Sequence, residues 1–427
     1  MSSAVVFYTG VVPMNFDEQL FSVENGGVTS PEAFLAAGVS AGLKKSQNPD
    51  FALLYSQRAC NFAGTFTSNL FPAAPVRLCR KRIQEQEYVR AVAVNSGIAN
   101  ACTGVRGDED AQQMAQIVAS GLKIAAGEVL VSSTGRIGVF LPMEKIQKGV
   151  ELASAALSCD GGADAARAIM TTDTRKKEGA YSFVASNGQK ITLGGMTKGA
   201  GMIAPHMLIA KPHATMLCYL TTDAKISNQD LAYFLENAVG QSFNCISVDN
   251  DMSTNDTCLL LANGASGVEI TPGSPDSVLF MAALNRLTAD LAKSMVADGE
   301  GASKLVTVEI KGAASKADAI RCAKAIADSM LCKTAWFGGD PNWGRILAAA
   351  GYSGATFQPE NVMLDYDDMP VVRHGMDAGT SEEDLCKVIR KPAFTVHLNL
   401  GAGTAEHMVW TCDISYEYVK INADYHT

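Results

Sequence analysis

Aromatic residues make up only 7% of this 427-residue chain, charged residues only 19%, and histidine occurs six times. Cations are in the minority: 35 Lys and Arg stand against 44 Asp and Glu, a net charge of −9. Holding a phosphate backbone takes clustered Lys and Arg, so nucleic acid is not expected as a partner. An anionic small molecule stays open, because it responds to local charge. No window reaches the ~18 consecutive apolar residues of a membrane-spanning helix, and no membrane partner is expected. Met1–Phe7 lacks the basic stretch and apolar run of a targeting segment, which points to the cytoplasm. The 11 cysteines are odd in number and form no CxxC pair, and several sit in apolar runs, as Cys218 does between Met216 and Leu220. That usage fits small thiols in a reducing compartment better than a disulfide framework. Without HxxxH or HExxH spacing, no metal is expected.

What the chain does have is glycine, 38 residues in short clusters, and a 47% hydrophobic content that can supply a large core. At roughly 150 residues per domain the length suggests two or three domains. No Pro- or Ser-rich linker divides them. Helical spacing runs from Asp110 to Ile124, Lys145 to Leu157, Ala163 to Met170 and Lys316 to Met330, and Ser274–Asp298 holds one long helix. Ser227-Asn-Gln-Asp230 is a capping box opening a further helix through Val239. Short β-rich runs read as strands at Val92–Asn95, Val129–Ser132, Met216–Leu220, Cys245–Asp249, Thr257–Ala262 and Leu305–Ile310. Others follow near Val362–Tyr366, Phe394–Leu400 and Val409–Tyr418. Tyr181–Ala185 and Gln189–Leu193 flank Asn187-Gly188, a hairpin whose turn would draw positive φ angles from both residues. So many strands, with hairpins among them, favour an α+β protein of layered mixed sheets flanked by helices over a doubly wound fold.

Gly38-Val-Ser-Ala-Gly42 has the GxSxG spacing of a nucleophile elbow, which needs a strand before it and a helix after it. Pro31–Ala37 does not read as a strand, so the elbow is set aside. Gly299–Lys304 lacks phosphate-loop spacing. Asp249–Asp256 carries three Asp residues but not the Gly and Glu of a calcium loop, and reads as a polar turn in preference to a metal site. Met196–Pro205 is a glycine-rich turn with one lysine, Lys198, ahead of a strand at Thr215. If the Ala214–Thr215 bond breaks, Thr215 carries a free α-amine beside its own hydroxyl. With a reference pKa of ~7.7–8.0, that amine can take the hydroxyl proton, the N-terminal threonine variant of acyl-transfer catalysis.

The chain resembles the ornithine acetyltransferase family of arginine biosynthesis, the bifunctional glutamate N-acetyltransferases, over essentially its whole length. The segments that carry the resemblance are Val131-Ser-Ser-Thr-Gly-Arg-Ile-Gly138, Ala168-Ile-Met-Thr-Thr-Asp-Thr174, Lys198-Gly-Ala-Gly-Met-Ile203, Ala214-Thr-Met-Leu217 and Leu220-Thr-Thr-Asp-Ala224. They continue through Ser253-Thr-Asn-Asp256, Asp298-Gly-Glu-Gly-Ala302, Asp340-Pro-Asn-Trp-Gly-Arg-Ile346 and the terminal Tyr418–Thr427. The resemblance implies the layered α+β fold of self-cleaving ornithine acetyltransferases and the DmpA-like proteins. It implies cleavage at Ala214–Thr215 into an α chain, 1–214, and a β chain, 215–427, that stay associated and assemble as a homo-oligomer of cleaved pairs. Acetyl transfer from N-acetylornithine to glutamate would then pass through an acetyl-Thr215 intermediate, with ping-pong kinetics. Thr134 and Gly135 would form the oxyanion hole. Thr172, Lys198, Thr215, Glu300, Asn422 and Thr427 would bind substrate, Lys198 suiting a carboxylate and Glu300 an ammonium. Thr171 and Thr174 compete with Thr172 for its role. No bound cofactor is implied, and acetyl-CoA is an allowed co-substrate. Between Ile203 and Ala214 the chain is several residues longer than the family pattern, a modest entropic burden. His206 and His213, in that stretch, read as loop residues. The competing readings are an N-terminal nucleophile amidohydrolase or aminopeptidase, which would pass the acyl group to water, and an uncleaved amino-acid-binding homologue.

Overall fold

The structure, a computed structural model, describes residues 16–204, 207 and 216–424. Two mixed sheets organise the chain. The larger has nine strands, and the long strand Phe51–Phe66 divides it into two leaves. Its last residues pair with Thr257–Ala262, whereas its first pair with Phe34–Val39 and Val89–Ile98. Between these stretches the ladder register shifts, and Gln57, Arg58 and Ala59 are exposed, so the strand bends there and passes from one leaf to the other.

The leaves pack face to face. Leu217, Tyr219, Leu259 and Leu261 on one leaf share a core with Ala52, Leu54, Val92, Val94 and Leu130 on the other. Helices cover the outer faces. Asn228–Gly240 and Pro275–Val296 pack on the leaf that holds Leu217–Thr222. Gly104–Leu122 and Met143–Ala156 pack on the leaf that holds Val89–Ile98 and Val129–Arg136. With both faces covered, these strands are buried along most of their length instead of alternating. This helix–sheet–sheet–helix stack is the layered α+β architecture expected.

Leu217–Thr222 and Thr257–Ala262 lie inside this sheet, between Lys190–Lys198 and Phe51–Phe66. The halves 1–214 and 215–427 are therefore not separate domains, since strands of the second complete the sheet of the first. The second sheet has seven strands, all after residue 245, from Met376–Asp377 at one edge to Ile246–Ser247 at the other. Lys316–Ala327 and its neighbouring helices seal one of its faces.

Several expectations need correction. Phe34–Val39 is a strand, so GxSxG does follow one, but no helix follows Gly42 and the elbow fails on that side. The 185–189 hairpin has positive φ at Gly188, +82°, and not at Asn187. It is a tight turn ending in a left-handed glycine, the geometry of a longer hairpin loop with a bulge. The 245–249 run is a strand only at Ile246–Ser247. The 316–330 helix stops at Ala327, and Ser329 caps a second helix, Met330–Gly338. The last strand ends at Cys412, and Tyr416–Asp424 is a helix. Of the cysteines, Cys102 and Cys159 are exposed and Cys386 is partly so, while the other eight are buried. Among the described residues no helix is long and apolar enough to cross a membrane, and no cluster of acidic, His or Cys side chains suits a metal.

Candidate active site

The site forms where three strand ends meet. Val89–Ile98 and Val129–Arg136 run parallel and finish side by side at Gly97 and Gly135. Both glycines have positive φ, +108° and +126°, and a Cβ on Gly135 would come within 2.3 Å of the Gly97 carbonyl carbon. Only glycine admits that approach. Thr134, just before it, is buried. The turn Ser253–Asp256 is tied to this corner by Asn255, whose Nδ2 donates to the carbonyls of Ala99 (2.6 Å) and Ser133 (2.7 Å).

The same turn leads into Thr257, whose N–H donates to the Met216 carbonyl at 2.8 Å. Leu217 then sits between Thr257 on one side and Lys198 on the other. Met216 is covalently joined to Thr215, so the backbone fixes the start of this strand between the Asp256 turn and Lys198. Ala214, Thr215, Thr427, His206 and His213 lie outside the described residues.

Lys198 is buried, with its Nζ 3.9 Å from Asp173 Oδ2. Burial lowers its pKa, and the charges of Asp173, Glu300 and Asp256 oppose that shift while Lys177 adds to it. Asp173 is the hub of the surrounding network. It accepts from Lys177 Nζ (2.6 Å), the Gly199 N–H (2.7 Å) and the Thr171 N–H (3.0 Å). Burial alone would raise the Asp173 carboxyl, but Lys198 and Lys177 hold it well below the usual carboxylate range. Lys177 also donates to Asp298 (2.5 Å), which in turn accepts from the backbone and hydroxyl of Thr174. Thr174 is thereby committed to a structural contact. Thr172 lies part-buried in the loop this network holds, beside Thr171.

Glu300 approaches the Lys198–Ile203 turn from the other side. Its N–H donates to the Ala200 carbonyl (2.8 Å), and a Cβ on Gly201 would sit 2.4 Å from its carboxyl group. Its Oε2 accepts from Asn422 Nδ2 at 2.8 Å. The turn itself is pinned by Asp249, which accepts from the N–H groups of Met202 and Ile203. Asp249 thus serves as the backbone acceptor of a polar turn. Lys198, Glu300 and Asn422 are brought together from three distant parts of the chain, with Thr172 in the adjoining loop. Thr134 and Gly135 reach the same strand start through Asn255.

The resemblance does not mark Asp173, Lys177, Asp298 or Asp256 as site residues, although Asp173, Asp256 and Asp298 lie inside the segments that carry it. Asp256 is fully buried, and neither carboxylate oxygen finds a hydrogen-bond partner among the described residues. Burial pushes its carboxyl well up, with Lys198 pulling the other way. Chemically the site offers a cation and an anion for a zwitterionic amino acid, beside a backbone corner that can receive a developing negative charge.

Known proteins resemble the chain over nearly its full length. The model of the ArgJ family matches residues 35–427. A relative from Symbiobacterium thermophilum, arginine biosynthesis bifunctional protein ArgJ, is 47% identical over 94% of this chain and 99% of its own. Glutamate N-acetyltransferase of Methanocaldococcus jannaschii is 44% identical over 95% of this chain and 100% of its own. A solved chain, ornithine acetyltransferase complexed with ornithine from Mycobacterium tuberculosis, is 40% identical over 44% of this chain and 99% of its own, with a TM-score of 0.40.

Proposed function

The chain belongs to the ArgJ family, and from that premise we propose that it transfers an acetyl group from N-acetylornithine to glutamate through Thr215 after cutting itself at Ala214–Thr215. In self-cleavage Thr215 Oγ attacks the Ala214 carbonyl carbon, the C–N bond breaks and an ester forms. Water then hydrolyses the ester, leaving a carboxylate on Ala214 and a free amine on Thr215.

In turnover that amine takes the Oγ proton as Oγ attacks the acetyl carbonyl. The Thr134 hydroxyl and the Gly135 N–H hold the oxyanion of the tetrahedral intermediate. Collapse returns the proton to the leaving nitrogen and frees ornithine. The amine of glutamate then attacks the acetyl ester, and N-acetylglutamate departs. Lys198 receives the α-carboxylate. A carboxylate arriving beside this buried amine favours its charged form and offsets the lowering caused by burial. Glu300, oriented by Asn422, receives a substrate ammonium. Thr172 and Thr427 are the remaining substrate-binding positions of this reading.

The observation that supports this most is the convergence of Lys198, Glu300 and Asn422 on the start of the strand that follows Thr215. Because that strand is hydrogen-bonded on both sides, the cut halves would stay joined through one sheet. The same reading carries a cytoplasmic enzyme, a homo-oligomer of cleaved pairs, and acetyl-CoA as a second donor.

Mass spectrometry of the purified protein should find two chains separated at Ala214–Thr215. Thr215→Ala should stay whole and lose transfer from N-acetylornithine to glutamate. An intact wild-type chain, with full activity in Thr215→Ala, would overturn the mechanism. Acetate released equally well without glutamate would make the protein an amidohydrolase instead.

A further inference from the structure

Asn255 is buried on a turn, yet its amide reaches two distant stretches of backbone. Nδ2 donates to the carbonyl of Ala99, 156 positions away, and to that of Ser133, 122 positions away. Oδ1 accepts from Thr254 Oγ1 at 2.5 Å, and the Asn255 N–H donates to Ser253 Oγ at 3.2 Å. The two carbonyls settle which way the amide points, because the reverse orientation would set its oxygen against two others. A second amide works from the facing strand. Asn95 Nδ2 donates to the Ile98 carbonyl (2.8 Å), and its Oδ1 accepts from Ser133 Oγ (2.6 Å).

Ser133 is thus held by its side chain and by its carbonyl, and Thr134 follows directly on that carbonyl. On the facing strand, Asn95 and Asn255 take the carbonyls of Ile98 and Ala99 in turn. These held residues flank the contact of Gly97 with Gly135, and the ladder loses its regular register just after Gly97. Val129–Arg136 is also the last strand of its sheet, with a strand neighbour on one side only. Where regular pairing ends, the two amides supply the fixed points. The turn that carries Asn255 continues into Thr257, whose N–H holds the Met216 carbonyl. One short turn therefore grips the glycine corner with a side chain and the approach to the Leu217–Thr222 strand with its backbone.

We propose that Asn255 is a positioning residue for acyl transfer: backed by Asn95, it fixes the Thr134–Gly135 corner before substrate arrives and sets it against the start of the Leu217–Thr222 strand. The proposal rests on the reading of Thr134 and Gly135 as the oxyanion hole. The Asn255 amide is used up on the backbone and on Thr254, so it acts through the corner and not on substrate. Donors already in place need not reorganise as charge develops on the carbonyl oxygen. A misplacement near 1 Å costs on the order of 10²-fold in rate. Aspartate, of the same shape, could not serve, since a carboxylate offers no hydrogen to either carbonyl.

The test compares the full-length, self-processed protein with Asn255→Ala, Thr134→Val, the double variant and Asn61→Ala. Asn61 lies in the same sheet, away from the corner, and gives the Ile226 carbonyl a bond at 2.6 Å. Initial rates of transfer to glutamate are referred to the fraction cut at Ala214–Thr215, and urea titration reads stability. Asn255→Ala should lower kcat with N-acetylornithine about 10–100-fold and leave its KM within about twofold. Asn61→Ala should lose stability and keep kcat within about twofold. In the double variant the two rate losses should combine to less than their product, because both act through one corner. If Asn255→Ala does not fold, Asn255→Ser, whose hydroxyl can serve one of the two carbonyls, is read in the same way. Wild-type kcat in the folded Asn255 variant, a loss confined to stability or KM, or rate losses that multiply in full, overturns the proposal. Thr134→Val at the wild-type rate would instead make the oxyanion reading the one that fails.

Discussion

Lys333 and Lys198 are both buried lysines, and each sheet buries its own on different terms. In the seven-stranded sheet, Lys333 Nζ donates to Thr411 Oγ1 (2.6 Å) and to the Cys412 carbonyl (2.7 Å). Those bonds fasten the helix Met330–Gly338 to the strand Ala405–Cys412. In the nine-stranded sheet, Lys198 has among the described residues a 3.9 Å approach to Asp173 and no closer ion pair, and Asp256 nearby has both oxygens without a hydrogen-bond partner among them. Native interiors seldom leave polar groups so. The contrast sets a lysine whose hydrogen bonds hold the fold against one that the proposed function gives to the substrate. Lys177, with its close contacts to Asp173 and Asp298, shows that the site region can satisfy a buried lysine fully.

Substitution at a threonine in each region should break the contrast most strongly. Thr134→Val removes one oxyanion donor and should lower kcat about 10²–10³-fold, or roughly 3–4 kcal/mol of barrier, with the melting temperature little changed. Thr411→Val should do the reverse. It leaves Lys333 short of an acceptor and the Ala327 carbonyl short of a donor, destabilising the chain by about 1–3 kcal/mol with kcat within about twofold. Single-turnover rates and urea titrations on both variants check this. Equal rate losses in the two would erase the distinction.

The lysines themselves come next. Lys198→Met removes a poorly paired buried charge, so stability should hold or rise, while the KM for N-acetylornithine climbs about 10–100-fold. Lys333→Met strips two acceptors of their donor and should lower stability by about 1–3 kcal/mol with the KM unchanged. Should Lys198→Met unfold the protein and Lys333→Met slow the reaction, the roles assigned to them are exchanged.

Acid-range stability sharpens the same comparison within the site. The Asp173 carboxyl is held low in the folded state. Its contribution is therefore present above the unfolded value of ~3.9 and is lost as pH falls through the lower folded value. The Asp256 carboxyl is raised. Its contribution is full below ~3.9 and is lost as pH rises through the folded value. Asp256→Asn should therefore gain about 1–2 kcal/mol over the wild type at pH 8 and nothing near pH 3. Asp173→Asn should lose most at pH 7 and converge on the wild type in strong acid. Urea midpoints from pH 3 to 8 read both, and parallel curves for the two variants would deny the opposite placement of the two carboxyls.

Much of this was legible locally. The cap at Ser227 is a feature of adjacent residues: its hydroxyl oxygen accepts from the Asp230 N–H and opens the expected helix, while the Asp230 carboxylate accepts from that hydroxyl and does not complete a capping box. Lys198, Glu300 and Asn422 stood in quotable motifs, yet nothing local indicated that they meet, because Glu300 and Asn422 are 122 positions apart. The pairing of Lys177 with Asp298 spans 121 positions and leaves no periodic trace. The strand Phe51–Phe66 leaves no alternating signature, because it is buried on both faces at its ends and interrupted by Gln57 and Arg58 where it bends. The strand expected through Tyr418 runs three residues into the final helix because Tyr416 and Tyr418 are β-favouring residues, while Tyr418 and Asn422 dock that helix through Asp249 and Glu300.

The smallest expected effect lies on the exposed side of the seven-stranded sheet, at Glu309. Its carboxylate meets His397 Nδ1 on the neighbouring strand and Lys311 at 3.1 Å. Partial burial would raise the Glu309 carboxyl, but those two partners outweigh it and hold it below its ordinary value. A depressed carboxyl contributes stability above its unfolded value of ~4.3, and loses it as pH falls through the folded one. Water and salt screen the pair, so Glu309→Gln should change stability at neutral pH by less than about 1 kcal/mol and leave both transfer reactions untouched. Raising the salt concentration should shrink even that difference. A loss of several kcal/mol, or a slower reaction, would mean that this sheet's surface charges are coupled to the site. The seven-stranded sheet could then no longer be treated as the part of the molecule whose charges only hold or solvate the fold.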